Sequence, residues 1–420
     1  MKNPACIYAL TLLLLLPTGY AAAQKSIILD KNIRTLQVSV NGEQRPLPVI
    51  RLKSDDVLQF SFDELSHNYK RYTYKVEHVG ADFQDDESLF ENDYLQSVPD
   101  EVVIEDYDLS MNTSVLYTHY NFSIPNYQIR PTLSGNYKLT VYGEDENGEP
   151  QPVLVTYFYV SEEIASSMAT GTTNTDIDWN DRHQQLALNV NYSQLPNVRA
   201  PYEEVKIIVL KNGRWDDAVV FPKSTGQTGQ SLIWDHSSDL IFPAGNEYRK
   251  FEITSTKSPG LHIDNIKYFE PYYHVTLMPD KPRTNYLYDE DQNGRFVALA
   301  NNDYSSDTEA DYVWVHFTLN TPELAAGTKV YVNGTWTYDQ NTAPYVMTYN
   351  PASEAYEAAL LLKQGYYSYQ YLIDPPTTVP TIEGNFWQTE NEYTILIYYC
   401  QAGSRYDRLV GWRTTTYRPQ

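Results

Sequence analysis

Leu58-Gln59-Phe60-Ser61-Phe62 alternates apolar and polar side chains, and Tyr72-Thr73-Tyr74-Lys75-Val76-Glu77-His78 repeats the pattern shortly afterwards. Alternation with a period of two residues is typical of β-strands that have one buried face and one solvated face. Turn dipeptides such as Asn41-Gly42 and Ser134-Gly135 separate these stretches, and long helical periodicity is absent. We therefore expect an all-β chain of tandem immunoglobulin-like or early-set β-sandwiches.

The composition argues against two broad classes of protein. The 420 residues include 31 Lys and Arg against 54 Asp and Glu, so the formal net charge is −23. A chain of this charge lacks the basic surface with which proteins bind nucleic acid. Hydrophobic residues make up 42% of the chain, which is too many for a disordered acidic protein. The length is sufficient for roughly two to four domains, each with its own core.

Residues 1–23 are expected to be a cleavable signal peptide. Lys2 supplies a positive charge, residues 7–16 form an apolar run too short to span a bilayer, and Ala21-Ala22-Ala23 resembles a cleavage site. The exported protein then retains one cysteine, Cys400, so we expect no internal disulfide. Cys400 is interpreted as a small buried residue, because no polarising partner is evident nearby in the sequence.

Composition and strand patterns divide the mature chain into three units. Residues 24–161 are expected to form an N-terminal β-sandwich, and the small polar residues of 162–176 a linker or loop. Residues 177–308 are expected to form a middle β-rich domain. Residues 309–420 are expected to form a C-terminal early-set sandwich with a tail.

The last unit contains a recognisable order of elements. The turn Asn333-Gly334-Thr335-Trp336 precedes a Leu-rich strand and then Gly365-Tyr366-Tyr367-Ser368-Tyr369-Gln370-Tyr371. This order resembles the glycogen- and starch-binding sandwiches. Trp336 and Trp387 are therefore candidates for an aromatic platform that binds sugar rings, and packing within the sandwich is the alternative. The tyrosines of the last strand form either part of the core or a binding face.

Motifs for catalysis or metal binding are sparse. No two of the eight histidines lie within five residues of each other, and neither a Gly-x-Ser-x-Gly elbow nor a phosphate-binding loop is found. Asp289-Glu290-Asp291-Gln292-Asn293-Gly294 matches half of a calcium loop, but Ala300 occupies the position of the bidentate Glu, so calcium binding stays open. A dispersed carboxylate pair keeps a hydrolase as a minor alternative. We expect no enzymatic activity, no metal and no cofactor.

One segment near the C-terminus combines the residue types that dominate protein interfaces. It contains Arg405, Tyr406, Asp407, Arg408 and Trp412. Arg, Tyr and Trp are enriched among residues that contribute most to binding energy. The segment is therefore a candidate partner-binding site, and the alternative is a tail that packs on its own domain.

Nine short stretches occur in a fixed order between residues 33 and 412. They include Asn112-Thr113-Ser114-Val115-Leu116-Tyr117-Thr118-His119-Tyr120, Ala244-Gly245-Asn246-Glu247-Tyr248-Arg249 and Arg405-Tyr406-Asp407-Arg408-Leu409, together with residues 33–38, 48–52, 60–65, 134–137, 361–367 and 389–393. As an ordered set they resemble the type IX secretion system plug proteins of Bacteroidota, formerly a domain of unknown function. The chain departs from that family at Phe83, where a tryptophan is expected, and at Cys400.

The resemblance implies a function without catalysis. Members of the family are thought to close the periplasmic opening of the outer-membrane translocon barrel of the secretion system. The implied partner is that barrel, and no nucleic acid, small-molecule substrate or membrane-spanning segment is implied. The implied location is the periplasm, where the protein is associated with the outer membrane through its partner. An exported glycan-binding protein remains the alternative.

Overall fold

Strands form most of the regular structure in the computed structural model, which describes residues 25–85, 88–96, 101–300, 306–338, 343–376 and 382–419. The all-β class expected from the alternating stretches is confirmed. The expected signal peptide, residues 1–23, lies outside the described residues. Helices among the described residues are short: α1 (Glu91–Tyr94), α2 (Pro201–Glu204), α3 (Ser306–Glu309) and 3-10 turns at Ser238–Leu240 and Thr335–Thr337.

The N-terminal sandwich consists of two sheets around an apolar core. Its strands are β1 (Ile27–Ile28), β2 (Ile33–Val40), β3 (Val49–Arg51), β4 (Leu58–Glu64), β5 (Thr73–Val79), β6 (Val102–Val103), β7 (Asp106–Leu109), β8 (Thr118–Ile124), β9 (Gly135–Glu144) and β10 (Pro150–Ser161). One sheet runs β1-β10-β9-β5-β6, with β3 beside β10, and the other runs β2-β4-β8-β7. Phe60 and Phe62 of β4 and Tyr74 and Val76 of β5 are buried in the core between them, as their alternation predicts.

The middle sandwich begins inside the expected linker. Its first strands are β11 (Ser166–Thr172), β12 (His183–Asn191), β13 (Val205–Lys211), β14 (Val219–Val220), β15 (Gly226–Thr228), β16 (Ser231–Trp234) and β17 (Ile241–Pro243). Residues 162–176 are thus not simply a linker or loop, because β11 pairs along its whole length with β12. One sheet of this sandwich runs β11-β12-β16-β15, with β17 also paired to β12.

A third β-structure is inserted into the middle sandwich. Its strands are β18 (Arg249–Ile253), β19 (Ile263–Phe269), β20 (Tyr272–Leu277), β21 (Phe296–Ala298), β22 (Tyr312–Leu319), β23 (Lys329–Asn333), β24 (Val346–Asn350), β25 (Ala355–Lys363) and β26 (Gly365–Asp374). They form one nine-stranded sheet in the order β18-β26-β23-β24-β25-β22-β20-β19, with β21 beside β26. A single cluster of buried apolar side chains contains residues from both ends of this order, including Phe251 and Ile263.

The chain then returns to complete the middle sandwich. The last strands, β27 (Asn391–Tyr399) and β28 (Arg408–Tyr417), form the second middle sheet in the order β14-β13-β27-β28. The expected boundary between residues 308 and 309 therefore does not match the sheets, because the third structure spans 249–374 and residues 391–417 belong to the middle sandwich. A local sequence pattern can indicate a strand, but it carries no information about which distant strand that strand joins.

Candidate functional site

The second middle sheet is buried on both faces, and this explains the unbroken apolar run in β27. Ile395 and Ile397 pack into the core of the middle sandwich, where Ile207 and Val209 of β13 lie opposite them. Leu396 and Tyr398 point to the other face, toward the N-terminal sandwich. Because successive side chains of a strand point to opposite faces, a strand with two covered faces must be apolar throughout.

A single apolar cluster therefore joins the N-terminal and middle sandwiches, and we call it the shared core. Trp215 is 5% exposed and its ring centroid lies 4.9 Å from that of Phe83. The Tyr398 hydroxyl donates a 2.8 Å hydrogen bond to the Asn136 side chain of β9. The remaining buried members are Leu47, Val49, Val79, Ala81 and Tyr159 from the N-terminal sandwich and Ile208, Leu210, Leu396 and Leu409 from the middle one.

The C-terminal segment lies against the N-terminal sandwich of its own chain. The Arg408 guanidinium binds the Glu162 carboxylate through two hydrogen bonds of 2.8 and 2.6 Å, and Asp407 accepts a 3.0 Å hydrogen bond from the backbone amide of Ala81. The rings of Tyr406 and His78 meet edge to face at 5.6 Å. The segment thus resembles the expected alternative, a tail that packs on its own protein.

Two further members of the predicted partner-binding site differ in exposure. Trp412 packs against the shared core and pairs with Leu396 across β27 and β28. The Arg405 side chain is 56% exposed and makes an ion pair of 3.0 Å with Asp93. Partner binding by Arg405 stays a prediction, whereas Arg408, Asp407 and Trp412 are already engaged within the chain.

A buried polar network joins the N-terminal sandwich to the third structure, and we call it the Asp63 network. Asp63 and Lys363 form an ion pair of 2.7 Å, with both side chains 1% exposed. His119 and the Tyr312 hydroxyl each contact an Asp63 carboxylate oxygen at 2.6 Å. The Lys363 ammonium also lies 4.4 Å from the centroid of the Tyr117 ring. Burial raises the pKa of Asp63, but Lys363 and His119 outweigh it and hold the pKa below the usual value.

The third structure is also attached to the middle sandwich. Arg295, beside β21, forms an ion pair of 2.7 Å with Glu392 of β27. The Asn246 side-chain amide donates a 2.9 Å hydrogen bond to the backbone carbonyl of Glu383, and the Glu383 carboxylate binds Arg249. Each pair of the three β-structures is therefore connected by contacts between buried or half-buried side chains. Such joints restrict the relative motion that domains with small polar interfaces usually show.

Glu247 lies between the middle sandwich and the third structure, and its carboxyl titrates near neutral pH. The side chain is 3% exposed, accepts a hydrogen bond of 2.6 Å from the Tyr286 hydroxyl and is contacted at 3.1 Å by the Glu390 amide. Burial raises its pKa from 4.5 to about 7. The folded protein therefore retains this proton at a pH where the unfolded chain has lost it.

The raised pKa predicts a specific pH dependence of stability. Between the unfolded pKa of 4.5 and the folded pKa of about 7, the folded state binds more protons, so stability falls as pH rises through this window. Glu247→Gln removes this titration. We expect the melting temperature of the wild type to fall relative to that of Glu247→Gln between about pH 5 and pH 8. If the melting temperatures of the two proteins changed with pH by the same amount across this range, the raised pKa would be contradicted.

Of the two tryptophans of the candidate aromatic platform, Trp336 packs within its own β-structure. Trp336 is 4% exposed, its indole N–H donates a 3.0 Å hydrogen bond to the backbone carbonyl of Ser368, and its ring packs against Tyr367. An indole buried on both faces cannot stack on a sugar, so the prediction for Trp336 is wrong, whereas Trp387 is only half-buried. Tyr367, Tyr369 and Tyr371 are also core residues, with exposures of 2, 2 and 3%.

The remaining candidates for chemistry are used in local contacts. In the turn that matches half of a calcium loop, Asp289 pairs with Lys250 at 2.6 Å and Asp291 accepts hydrogen bonds from the backbone amides of Tyr248 and Asn293. Burial raises the pKa of the half-exposed Cys400 thiol, which disfavours the reactive thiolate. No group of three or more His, Cys, Asp or Glu side chains suited to a metal ion occurs within the described ranges.

One exposed site was missed by the sequence reasoning. Trp179 is 76% exposed and Ile177 is 62% exposed, on the loop between β11 and β12. The signal was present as Asp176-Ile177-Asp178-Trp179, in which two large apolar residues interrupt a small polar stretch. The expected boundary between the linker, residues 162–176, and the middle domain, residues 177–308, divides this stretch after Asp176, so its pattern does not stand out. No helix in the described part of the chain is long and apolar enough to cross a membrane.

Comparison with known proteins identifies the family. Residues 33–162, which include the whole N-terminal sandwich except β1, match the model of the type 9 secretion system plug protein 1st domain. The chain is also similar to a hypothetical protein from Parabacteroides merdae ATCC 43184 with a crystal structure at 2.30 Å resolution. The identity is 38%, the TM-score is 0.89, and the match covers 94% of this chain and 99% of that one. No curated protein matches the chain. This chain belongs to the type IX secretion system plug protein family.

Proposed function

We propose that this protein is a non-enzymatic periplasmic component of the type IX secretion system that plugs the periplasmic opening of the outer-membrane translocon barrel. Membership of the family supports a role in type IX secretion, a partner within that system and an extracytoplasmic location. Residues 1–23 would serve as the export signal. The observation that carries the proposal is the set of buried joints, which make three β-structures into one stiff body.

Stiffness matters because a plug must resist deformation at an opening larger than a single sandwich. The shared core lies between the N-terminal and middle sandwiches, the Asp63 network lies between the N-terminal sandwich and the third structure, and both are shielded from water. Interfaces of this kind resemble domain cores more than the polar contacts across which domains normally hinge. A body built in this way presents a constant shape to its partner.

The charge of the chain supports binding to a protein surface in preference to lipid. A net charge of −23 repels anionic lipid head groups and attracts a partner surface rich in Lys and Arg. An interface of about 1,200–2,000 Å² would be sufficient for specific docking that is still reversible. Reversibility is required because the opening must be cleared whenever cargo passes.

The direct test is capture of the partner. Tagged mature protein is incubated with detergent-solubilised outer membranes of a bacterium that carries the type IX system, and the retained proteins are identified by mass spectrometry. We expect the translocon barrel as the dominant partner, with recovery that decreases as salt increases. Recovery of no translocon component, together with retention on a polysaccharide column, would refute the proposal and favour glycan binding.

A further inference from the structure

The loop between β11 and β12 presents its apolar side chains to solvent on an ordered backbone. Thr175 and Asp178 close a tight turn, since the Thr175 amide donates to the Asp178 carbonyl at 2.8 Å. Asp178 also contacts the His183 ring at 2.6 Å, which ties the turn to the start of β12. The Trp387 amide donates a 3.2 Å hydrogen bond to the Asp181 carbonyl from a separate segment. These contacts hold the loop on both sides of Trp179.

A second set of contacts fixes the other flank of the loop. Asp176 accepts a 2.7 Å hydrogen bond from the Gln185 side chain and contacts the His236 ring at 2.6 Å. Ile177 lies between Asp176 and Asp178, both of which are engaged. The loop is thus ordered before any partner binds, and the conformational entropy that binding usually costs is reduced.

The apolar pair has the properties of an interface anchor. Trp is among the residues most enriched in binding hot spots, because its large rigid ring fills a pocket at a low entropic cost. Hydrogen bonds hold this loop in place, and the indole of Trp179 is exposed, so the indole does not contribute to a core of the chain. Ile177 and Trp179 therefore form a compact apolar tip on an otherwise acidic loop.

The charges around this tip indicate what it fits. Asp176, Asp178 and Asp181 contribute three carboxylates, and Arg182 is the one Lys or Arg within the loop. A complementary surface would offer an apolar pocket for the indole with Lys or Arg at its rim. Nucleic acid and anionic lipid are disfavoured by the same carboxylates.

We propose that Ile177 and Trp179 anchor this protein to a basic protein surface with an apolar pocket on the periplasmic side of the translocon. This inference rests on the proposed function and adds the docking site to it. It assigns the principal contact to the loop between β11 and β12 and not to the C-terminal segment, whose Arg408 and Asp407 are occupied within the chain.

The test compares three variants of the full mature chain in binding to the detergent-solubilised translocon barrel. Trp179→Ala is expected to weaken binding by about 30-fold, and Ile177→Ala by less. Tyr127→Ala is the matched control, because Tyr127 is an 85% exposed aromatic residue of the N-terminal sandwich, and it should bind as the wild type does. Unchanged melting temperatures of all three would show that folding is intact.

A charge reversal provides the second measurement. Asp181→Lys alters the side chain but leaves the carbonyl that binds the Trp387 amide, and we expect slower association and a weaker salt dependence. If the wild type binds the barrel and Trp179→Ala binds as tightly as Tyr127→Ala, the inference is wrong and the proposed function stands. If the wild type itself does not bind the barrel, both are overturned.

Discussion

Asp63→Ala is expected to destabilise the protein by about 3–5 kcal/mol, because it leaves the Lys363 ammonium buried without its counter-ion. The pair is separated by 2.7 Å and each side chain is 1% exposed, so water cannot replace the lost carboxylate. The His119 ring and the Tyr312 hydroxyl lose the same acceptor. A urea denaturation series that gives the free energy of unfolding measures the effect.

The double variant separates the cost of an unpaired charge from the value of the pair. Asp63→Ala with Lys363→Met leaves no buried charge at this position, and we expect its loss of stability to be smaller than the sum of the two single losses. The control is Arg71→Ala, which breaks an ion pair of 2.6 Å with Glu101 between side chains that are 41% and 44% exposed. That loss should be much smaller than the loss for Asp63→Ala, because solvent screens an exposed pair. Equal losses for Asp63→Ala and Arg71→Ala would contradict a structural role for the network.

Trp215→Ala is expected to cost about 3–5 kcal/mol, because it opens a cavity in the core shared by the N-terminal and middle sandwiches. Trp215 is 5% exposed and its ring packs edge to face against that of Phe83. A cavity here weakens the joint itself. We therefore expect limited proteolysis to cut between the two sandwiches in the variant faster than in the wild type.

The matched control makes the same substitution at the surface. Trp179 is 76% exposed, so Trp179→Ala should change the free energy of unfolding by no more than about 0.5 kcal/mol. The two tryptophan variants should thus affect different properties. Trp215→Ala lowers the stability of the fold, whereas Trp179→Ala weakens binding to the barrel. A loss of stability at Trp179 that matches the loss at Trp215 would show that the loop is part of a core.

The sequence predicted the strands better than their partners. The alternation of Leu58-Gln59-Phe60-Ser61-Phe62 corresponds to β4, and the alternation of residues 72–78 corresponds to β5. The pairing of Val205 with Tyr399 joins residues far apart in the chain, and no local pattern encodes such a contact. The inserted third structure was missed for this reason.

The candidate site was predictable only in part. Arg405, Arg408 and Trp412 were selected by residue type, but residue type cannot distinguish a partner in another protein from a partner in the same chain. Glu162 lies 246 positions from Arg408 and forms that partner. For Trp336 the sequence leaves two roles open, because an indole that packs in a core and an indole that binds sugar look alike in a sequence.

The most direct test of the plug function is the ionic conductance of the purified translocon barrel in a planar bilayer, measured before and after addition of the mature protein. We predict that the wild type reduces the conductance of the open barrel when it is added from the periplasmic side. Trp179→Ala should require a concentration about 30-fold higher for the same reduction. An unchanged conductance while the wild-type protein is demonstrably bound to the barrel would contradict the plug function.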